Sequence, residues 1–157
     1  MARITRERVI ASAPAVVWRT VSDPATLPRW WPGVERVEGA RGSAFSQVMR
    51  SSRGRPVRAD FQWVRREQDA RLRWRQSLAG TPFDEVFAAR AVAIELAAAA
   101  DGATRVSITV EQTLRGAARY VTALNRRGVR RQLDAALEGL DALLTGANRG
   151  SGAGVSP

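Results

Sequence analysis

The sequence of 157 residues contains no cysteine, no histidine and no lysine. Without cysteine the chain has no disulfide, no thiolate nucleophile and no cysteine-ligated zinc or iron–sulfur cluster. Without histidine it lacks the side chain that most often serves as general base and as transition-metal ligand. Without lysine it has neither a Schiff-base amine nor the lysine of a phosphate-binding loop. Most enzyme classes are therefore disfavoured, and we expect neither a metal nor a cofactor.

Long apolar runs are also absent from the sequence. The longest candidate, residues 88–100, is interrupted by Arg90 and Glu95 and falls short of the roughly 18–20 residues that a membrane span needs. The charged residues 1–8 are not followed by the apolar segment of a signal peptide. The sequence therefore predicts a cytoplasmic location.

The size and composition of the chain are those of one globular domain with a hydrophobic core. All 25 basic residues are arginine, and the formal net charge is +10. Such a charge attracts nucleic acid or anionic membranes weakly. Because the arginines are spread along the chain rather than clustered, we favour the codon usage of a GC-rich genome as their explanation. Contact with nucleic acid or anionic membrane is the less favoured interpretation.

The residue pattern predicts one strand, two short helices, six strands and one long helix. Residues 3–11 are typical of a strand, and the short helices begin at Pro14 and Pro24, where proline suits the first turn. Residues 34–114 follow a period of two with turn signals between strands, and Asp101-Gly102 is the clearest hairpin turn. The short links favour an antiparallel meander. The six later strands are predicted at 34–40, 44–52, 57–67, 72–78, 85–97 and 105–114.

After Gly116 the apolar spacing becomes helical. A single sheet of about seven strands must twist and curl, and only this terminal helix is long enough to cover its concave face. The sequence therefore predicts an α+β helix-grip fold over residues 1–145, followed by a flexible tail at 146–157. The apolar stripe of the helix consists of Val121, Leu124, Gly128, Val129, Leu133, Ala136, Leu137, Leu140 and Leu144.

Several short stretches resemble one known family. They are AP at 13–14 with VW at 17–18, SDP at 22–24, LPRWWPGV at 27–34 and DGATRV at 101–106. Together with the long C-terminal helix, they resemble the polyketide cyclase/dehydrase-like branch of the START/Bet v 1-like (SRPBCC) superfamily, over about residues 3–145. The resemblance implies the helix-grip fold. It leaves the function open, because relatives bind lipids, hormones or polyketides and only some are catalysts.

Strand alternation predicts which side chains face the helix. We expect aromatic and amide side chains to line an apolar cavity there, with Trp30 and Trp31 at its entrance and Arg65 at the end of an inward row. The alternative is that the aromatic residues are ordinary core and that each glutamine reaches water at a strand end. The predicted ligand-binding residues are Trp30, Trp31, Phe45, Gln47, Phe61, Trp63, Trp74, Gln76, Phe87, Gln112, Tyr120 and Leu124.

The two faces of the penultimate strand are both largely apolar, and we place Val92, Ile94 and Leu96 inward. The same alternation puts the carboxylates Asp60, Glu95 and Glu111 on the outer face, so no inward carboxylate pair is available for acid–base work. It also puts Arg71, Arg73 and Arg75 outward, where we favour a solvated sheet face over an anion-docking surface.

The leading hypothesis is a protein that binds or carries a small hydrophobic molecule, lipid or polyketide-like, between sheet and helix. The alternative, which the resemblance implies, is a cyclase, aromatase or dehydratase acting in the same cavity. Tyr120, the single tyrosine, is its candidate catalytic residue. Together with Gln76, Gln112 and Arg65 it would polarise carbonyl groups or relay protons. An interaction protein that uses its basic surface ranks last. The sequence leaves ligand identity, turnover and oligomeric state open.

Overall fold

The structure is a computed structural model that describes residues 1–51 and 53–151, with side chains described to residue 146. The helices are α1 (Pro14–Val21), α2 (Leu27–Trp30) and α3 (Thr122–Ser151). The strands are β1 (Ala2–Ile10), β2 (Val34–Glu38), β3 (Ala44–Arg50), β4 (Pro56–Glu67), β5 (Arg71–Ser77), β6 (Phe87–Ala98) and β7 (Thr104–Leu114). All seven strands form one antiparallel sheet in the order β1-β7-β6-β5-β4-β3-β2.

The predicted helix-grip fold is confirmed. Residues of α3 from Val129 to Leu144 join one core with inward residues of the sheet and with both short helices. A half-buried antiparallel sheet needs an apolar cover on one face, and the long helix contributes to that cover. Within the described part of the chain, no helix is long and apolar enough to cross a membrane.

The hairpin between β6 and β7 shows why the predicted turn residues matter. Asp101 has φ of 59° and Gly102 has φ of 72°, so both lie in the left-handed region. Glycine adopts that region without a steric cost, and aspartate tolerates it better than most residues. The two strands then pair without a break from Ala98↔Thr104 to Ala89↔Thr113. The Asp101-Gly102 turn therefore sets the register of the longest pairing in the sheet.

Inward alternation is confirmed for β6, where Val92, Ile94 and Leu96 are buried. The prediction that Arg65 faces inward is wrong. The pairing of β4 with β5 shifts between Trp63 and Arg65, and such a bulge moves every later side chain to the opposite face. The side chain of Arg65 is 53% exposed, and its Nε lies 3.5 Å from Glu67 Oε1.

The apolar stripe of α3 is buried only from Val129 onward. Val121 and Leu124, which share its helical spacing, are exposed. The periodic pattern thus continues beyond the part of the helix that the core covers. At the other end, α3 continues through Gly146 to Ser151, and the rest of the predicted flexible tail, 152–157, lies outside the described residues.

Asp60 on β4 contributes to stability in its ionised form. The hydrogen bond that Ser46 Oγ donates, and then Arg58, whose Nε lies 3.2 Å away, hold the pKa of Asp60 below its ordinary value of 3.8. A carboxyl with a lowered folded-state pKa stabilises the fold above its unfolded-state pKa, and this contribution is lost as pH falls below about 3.8 through the folded value.

We therefore expect Asp60→Asn to lower the free energy of unfolding at pH 7 by less than about 1 kcal/mol, because the side chain is half exposed. The difference from wild type should shrink as pH falls below that ordinary value. Urea titrations at pH 7 and in acid measure it, with Glu85→Gln as the control acid outside any described ion pair. A difference that stays constant across this pH range would contradict the prediction.

Candidate functional site

Five aromatic rings pack together on the concave side of the sheet. Phe45 and Phe61 are directly paired across β3 and β4 and stack at 5.3 Å, while Trp63 and Trp74 are paired across β4 and β5 and meet edge-on at 5.6 Å. Cross-strand aromatic pairs stabilise a sheet beyond their area of burial. Trp74 also contacts Phe45 and Trp31, with ring centroids 5.8 and 6.3 Å away. These rings form the aromatic cluster, with Trp74 at its centre.

A row of polar side chains continues from this cluster across the next strands. Gln76 of β5 is paired with Phe61, and Arg90 of β6 is paired with Gln112 of β7. Arg90 Nη1 donates to Gln76 Oε1 at 3.4 Å, which joins the two halves of the row. We call Gln76, Arg90 and Gln112 the polar row.

Every member of the polar row has a buried polar atom without a hydrogen-bond partner. These atoms are Gln76 Nε2, Arg90 Nε and Gln112 Oε1, and they are the complete set of such side-chain atoms within the described residues. An unsatisfied buried polar group costs about 1–3 kcal/mol, and native structures contain few of them. Three such atoms on neighbouring strands lower the stability of the fold. Their presence together therefore indicates a site whose polarity serves function.

Arg90 is also a cation without a counter-ion. None of the described ion pairs includes it. The neutral groups beside it are the Gln76 oxygen, 3.4 Å from Arg90 Nη1, and the Phe87 ring, 5.4 Å from Arg90 Cζ. Burial lowers the pKa of the Arg90 guanidinium from its ordinary value, but an arginine remains protonated in proteins. The site thus presents a positive charge to whatever occupies the interior.

Helix α3 contributes amides rather than acids to this region. Gln112 Nε2 donates to Asn125 Oδ1, and Gln132 borders the interior space. The acidic residues Asp134 and Asp141 instead pair with Arg6 and Arg8 of β1, each at 2.7 Å. No carboxylate of α3 therefore neutralises Arg90 in the described structure.

The free space between sheet and helix is small. A cavity of about 20 Å³ is bordered by Trp31, Trp74, Arg90 and Gln132, among others, which is room for about one water molecule. The predicted apolar cavity is thus almost filled by side chains. Two open recesses reach the polar row from outside: one of about 320 Å³ at Gln112, and one of about 570 Å³ at Gln76 and Arg90.

Most predicted site residues lie together. Trp31, Phe45, Phe61, Trp63 and Trp74 form the aromatic cluster. The amides of Gln47, Gln76 and Gln112 are 4%, 4% and 1% exposed, so they do not reach water freely at strand ends. Phe87 lies beside Arg90. Trp30 contacts the Trp31 ring at 5.5 Å but packs against α3 at Gly139.

Tyr120 and Leu124 were predicted inside and lie outside. Tyr120 is 84% exposed and Leu124 is 72% exposed, because neither the start of α3 nor the residues just before it are buried in the core. Their placement in the cavity, and with it the role of Tyr120 as an internal proton donor, is wrong. Arg90 is the residue that the sequence analysis missed as a site residue. Its signal was its position two residues before Val92, on the same strand face as Val92 and Ile94.

The outer face of the sheet behaves as a solvated surface. Arg71 Nε lies 2.7 Å from Glu67 Oε2, and Arg73 Nη2 lies 2.8 Å from Glu111 Oε2. The outward carboxylates are thus used to balance outward arginines. Among the residues that the structure describes, no group of three or more acidic side chains is placed to hold a metal ion.

Comparison with known proteins agrees with this architecture. A family model described as polyketide cyclase / dehydrase and lipid transport matches residues 1–145, while no curated protein matches the chain in sequence. The Zhui aromatase/cyclase from Streptomyces sp. R1128 superimposes with a TM-score of 0.75 at 14% identity, over 92% of this chain and 93% of that one. A START superfamily protein from Mycobacterium smegmatis gives 0.72 at 10% identity, over 92% and 98%. Identities this low establish a shared fold alone.

Proposed function

Because the chain belongs to the polyketide cyclase / dehydrase and lipid transport family, we propose that it binds a small hydrophobic molecule between the sheet and α3. In this proposal the apolar part of the molecule lies against the aromatic cluster. A carbonyl or carboxylate oxygen of the molecule accepts hydrogen bonds from Arg90. The polar row carries the proposal, since a ligand oxygen on Arg90 would satisfy the buried Nε donor, and a carboxylate would also balance the charge of the guanidinium.

The small interior space requires the protein to open when it binds such a molecule. Ligand cavities generally measure about 300–1,000 Å³, far more than the 20 Å³ between Trp31 and Gln132. Residues 122–128 of α3 contribute no buried side chain, so this part of the helix moves at the least cost in packing. The recess at Gln112 lies beside it, with Thr122 and Arg126 on its border. We propose that the ligand reaches the polar row from this side.

We expect wild-type protein to bind decanoic acid about tenfold or more tightly than decanol, because hydrogen bonds to charged groups contribute about 1.5–3 kcal/mol. Arg90→Gln should abolish this preference. Its thermal stability should be equal or higher, because the substitution removes a half-buried charge that has no partner among the described ion pairs. Titration calorimetry measures both affinities. Arg105→Gln, which changes an exposed arginine of β7 that none of the described ion pairs includes, is the matched control.

Two results would contradict the proposal. One is an unchanged preference for the acid in Arg90→Gln, which would place the ligand elsewhere. The other is failure of folded wild-type protein to bind either probe, together with native mass spectra that show no co-purified molecule. Equal loss of the preference in Arg105→Gln would show that general positive charge, rather than the polar row, attracts the acid.

A second candidate function is catalysis of cyclisation or dehydration of a poly-β-keto substrate in the same space. The observation that favours it is again Arg90, because a guanidinium beside a carbonyl oxygen stabilises the enolate that forms when a neighbouring carbon loses its proton. Asp84 borders the same recess as Gln76 and Arg90, and its carboxylate would accept that proton. Tyr120→Phe should leave turnover unchanged, because the phenol is on the surface.

A further inference from the structure

Three large apolar side chains are exposed next to one another around the start of α3. Tyr120 is 84% exposed, Val121 is 52% exposed and Leu124 is 72% exposed. Met1, which is 87% exposed, borders the same recess as Arg119 and Thr122. Single exposed apolar residues are ordinary on protein surfaces, but a contiguous patch usually marks a contact surface.

The same stretch carries a concentrated positive charge. No aspartate or glutamate occurs between Glu111 and Asp134, and the arginines in that interval are Arg115, Arg119, Arg126, Arg127, Arg130 and Arg131. Arg115 lies 3.6 Å from Asp84, whereas the described ion pairs include none of the other five.

Helical spacing places charge and apolar surface on one side of α3. Leu124, Arg127 and Arg131 follow one another at intervals of three and four residues, so they share a helix face. All three are exposed. Tyr120 and Val121 immediately precede the helix, within four residues of Leu124.

We propose that this region is a docking surface for an anionic lipid bilayer. Its apolar part is Tyr120, Val121 and Leu124, and its basic part is Arg119, Arg127 and Arg131. Apolar side chains with surrounding arginines are the combination that lies at the boundary between headgroups and acyl chains. The arginines attract the negative surface potential of such a membrane. The contact is peripheral, since no described helix could span a bilayer.

Charge and side-chain type favour lipid over the other occupants. A second copy of the chain in a two-fold contact would bring two clusters of unpaired arginines together, which is unfavourable. Single-stranded nucleic acid is bound by several aromatic platforms within a basic groove, whereas this patch has one aromatic ring and two aliphatic side chains. The proposal does not depend on what binds between the sheet and α3.

Vesicle co-sedimentation tests the docking surface with three double variants. Wild-type protein should bind vesicles of phosphatidylglycerol and phosphatidylcholine but not pure phosphatidylcholine, and added salt should weaken the binding. Val121→Ser/Leu124→Ser should reduce the partition coefficient by about tenfold or more, because buried apolar area drives insertion. Arg127→Gln/Arg131→Gln should also reduce it. Arg71→Gln/Arg75→Gln removes the same charge from the outer sheet face and should have little effect.

Four outcomes would overturn the proposal. Wild-type protein could fail to bind anionic vesicles at low salt. The Arg71/Arg75 variant could lose as much binding as the Arg127/Arg131 variant, which would indicate net charge alone. An oligonucleotide could bind with the same dependence on Leu124, or light scattering could show a dimer that Leu124→Ser dissolves without any vesicle binding. Circular dichroism of each variant checks folding, which exposed substitutions should leave intact.

Discussion

Trp74→Ala is expected to destabilise the domain by about 3–5 kcal/mol, the usual range for removing a buried tryptophan. Trp74 is 2% exposed, and its ring contacts Trp31, Phe45 and Trp63. Removal of the indole leaves three rings without a partner on one side. The new void would adjoin the existing cavity of about 20 Å³. Because the neighbouring rings are held on three separate elements, the void should not close completely.

Denaturant unfolding with and without free indole measures this effect. Apolar voids in protein cores bind small aromatic molecules, so indole should raise the melting temperature of Trp74→Ala and leave wild type unchanged. Trp18→Ala is the matched control, because Trp18 packs at the edge of the core and outside the aromatic cluster. Trp74→Leu keeps the test possible if the alanine variant does not fold. A cost below about 1 kcal/mol for Trp74→Ala would contradict its central role.

Gly139→Ala and Gly128→Ala are expected to change stability in opposite directions, although both replace a glycine within α3. A Cβ atom on Gly139 would lie 2.6 Å from the carbonyl oxygen of Trp30 and 3.2 Å from its Cα. Both are backbone atoms, so α2 and α3 would have to separate. Such overpacking costs about 1–3 kcal/mol and opposes the gain of about 1 kcal/mol in helix propensity. At Gly128, apart from its chain neighbours and the adjacent helix backbone, no described atom lies within 4 Å of the added Cβ, so the propensity gain remains.

Thermal unfolding of the two variants checks this pair. For a domain of this size, each kcal/mol corresponds to about 2–4 °C in Tm. We expect Gly128→Ala to melt above wild type and Gly139→Ala to melt below it. Stabilisation by both substitutions would show that Trp30 does not lie against Gly139. The contact matters for the site because Trp31, the next residue, borders the interior cavity.

The fold was predictable because its signals are local. Alternation over a strand, the left-handed turn at Asp101 and Gly102, and helical spacing after Gly116 each depend on neighbouring residues only. For the same reason the inward amides Gln76 and Gln112 could be placed on the correct face. Each is part of an uninterrupted alternation, at residues 72–78 and 106–114.

The errors arose where a residue's environment depends on a distant element. The bulge after Trp63 is a property of the pairing between β4 and β5. It turns the side chain of Arg65 to the outer face of the sheet. Leu124 continues a helical stripe that is buried later in α3, but whether a stripe is buried depends on what packs against it. In the sequence, Arg90 only interrupts an apolar run. In the structure, Gln76 of β5 and Gln112 of β7 lie beside it.

By itself, the sequence determined the absence of cysteine, histidine and lysine chemistry, the order of the elements and the direction of most strand side chains. These properties depend on composition and on side-chain periods of two or 3.6 residues. A single segment of the chain is long enough to show such a period. Only the tertiary structure decided that Arg90 has no counter-ion among the described residues, that the interior is nearly filled, and that Tyr120 and Leu124 lie outside among arginines. Burial and charge compensation are properties of several chain segments together, so no single segment could reveal them.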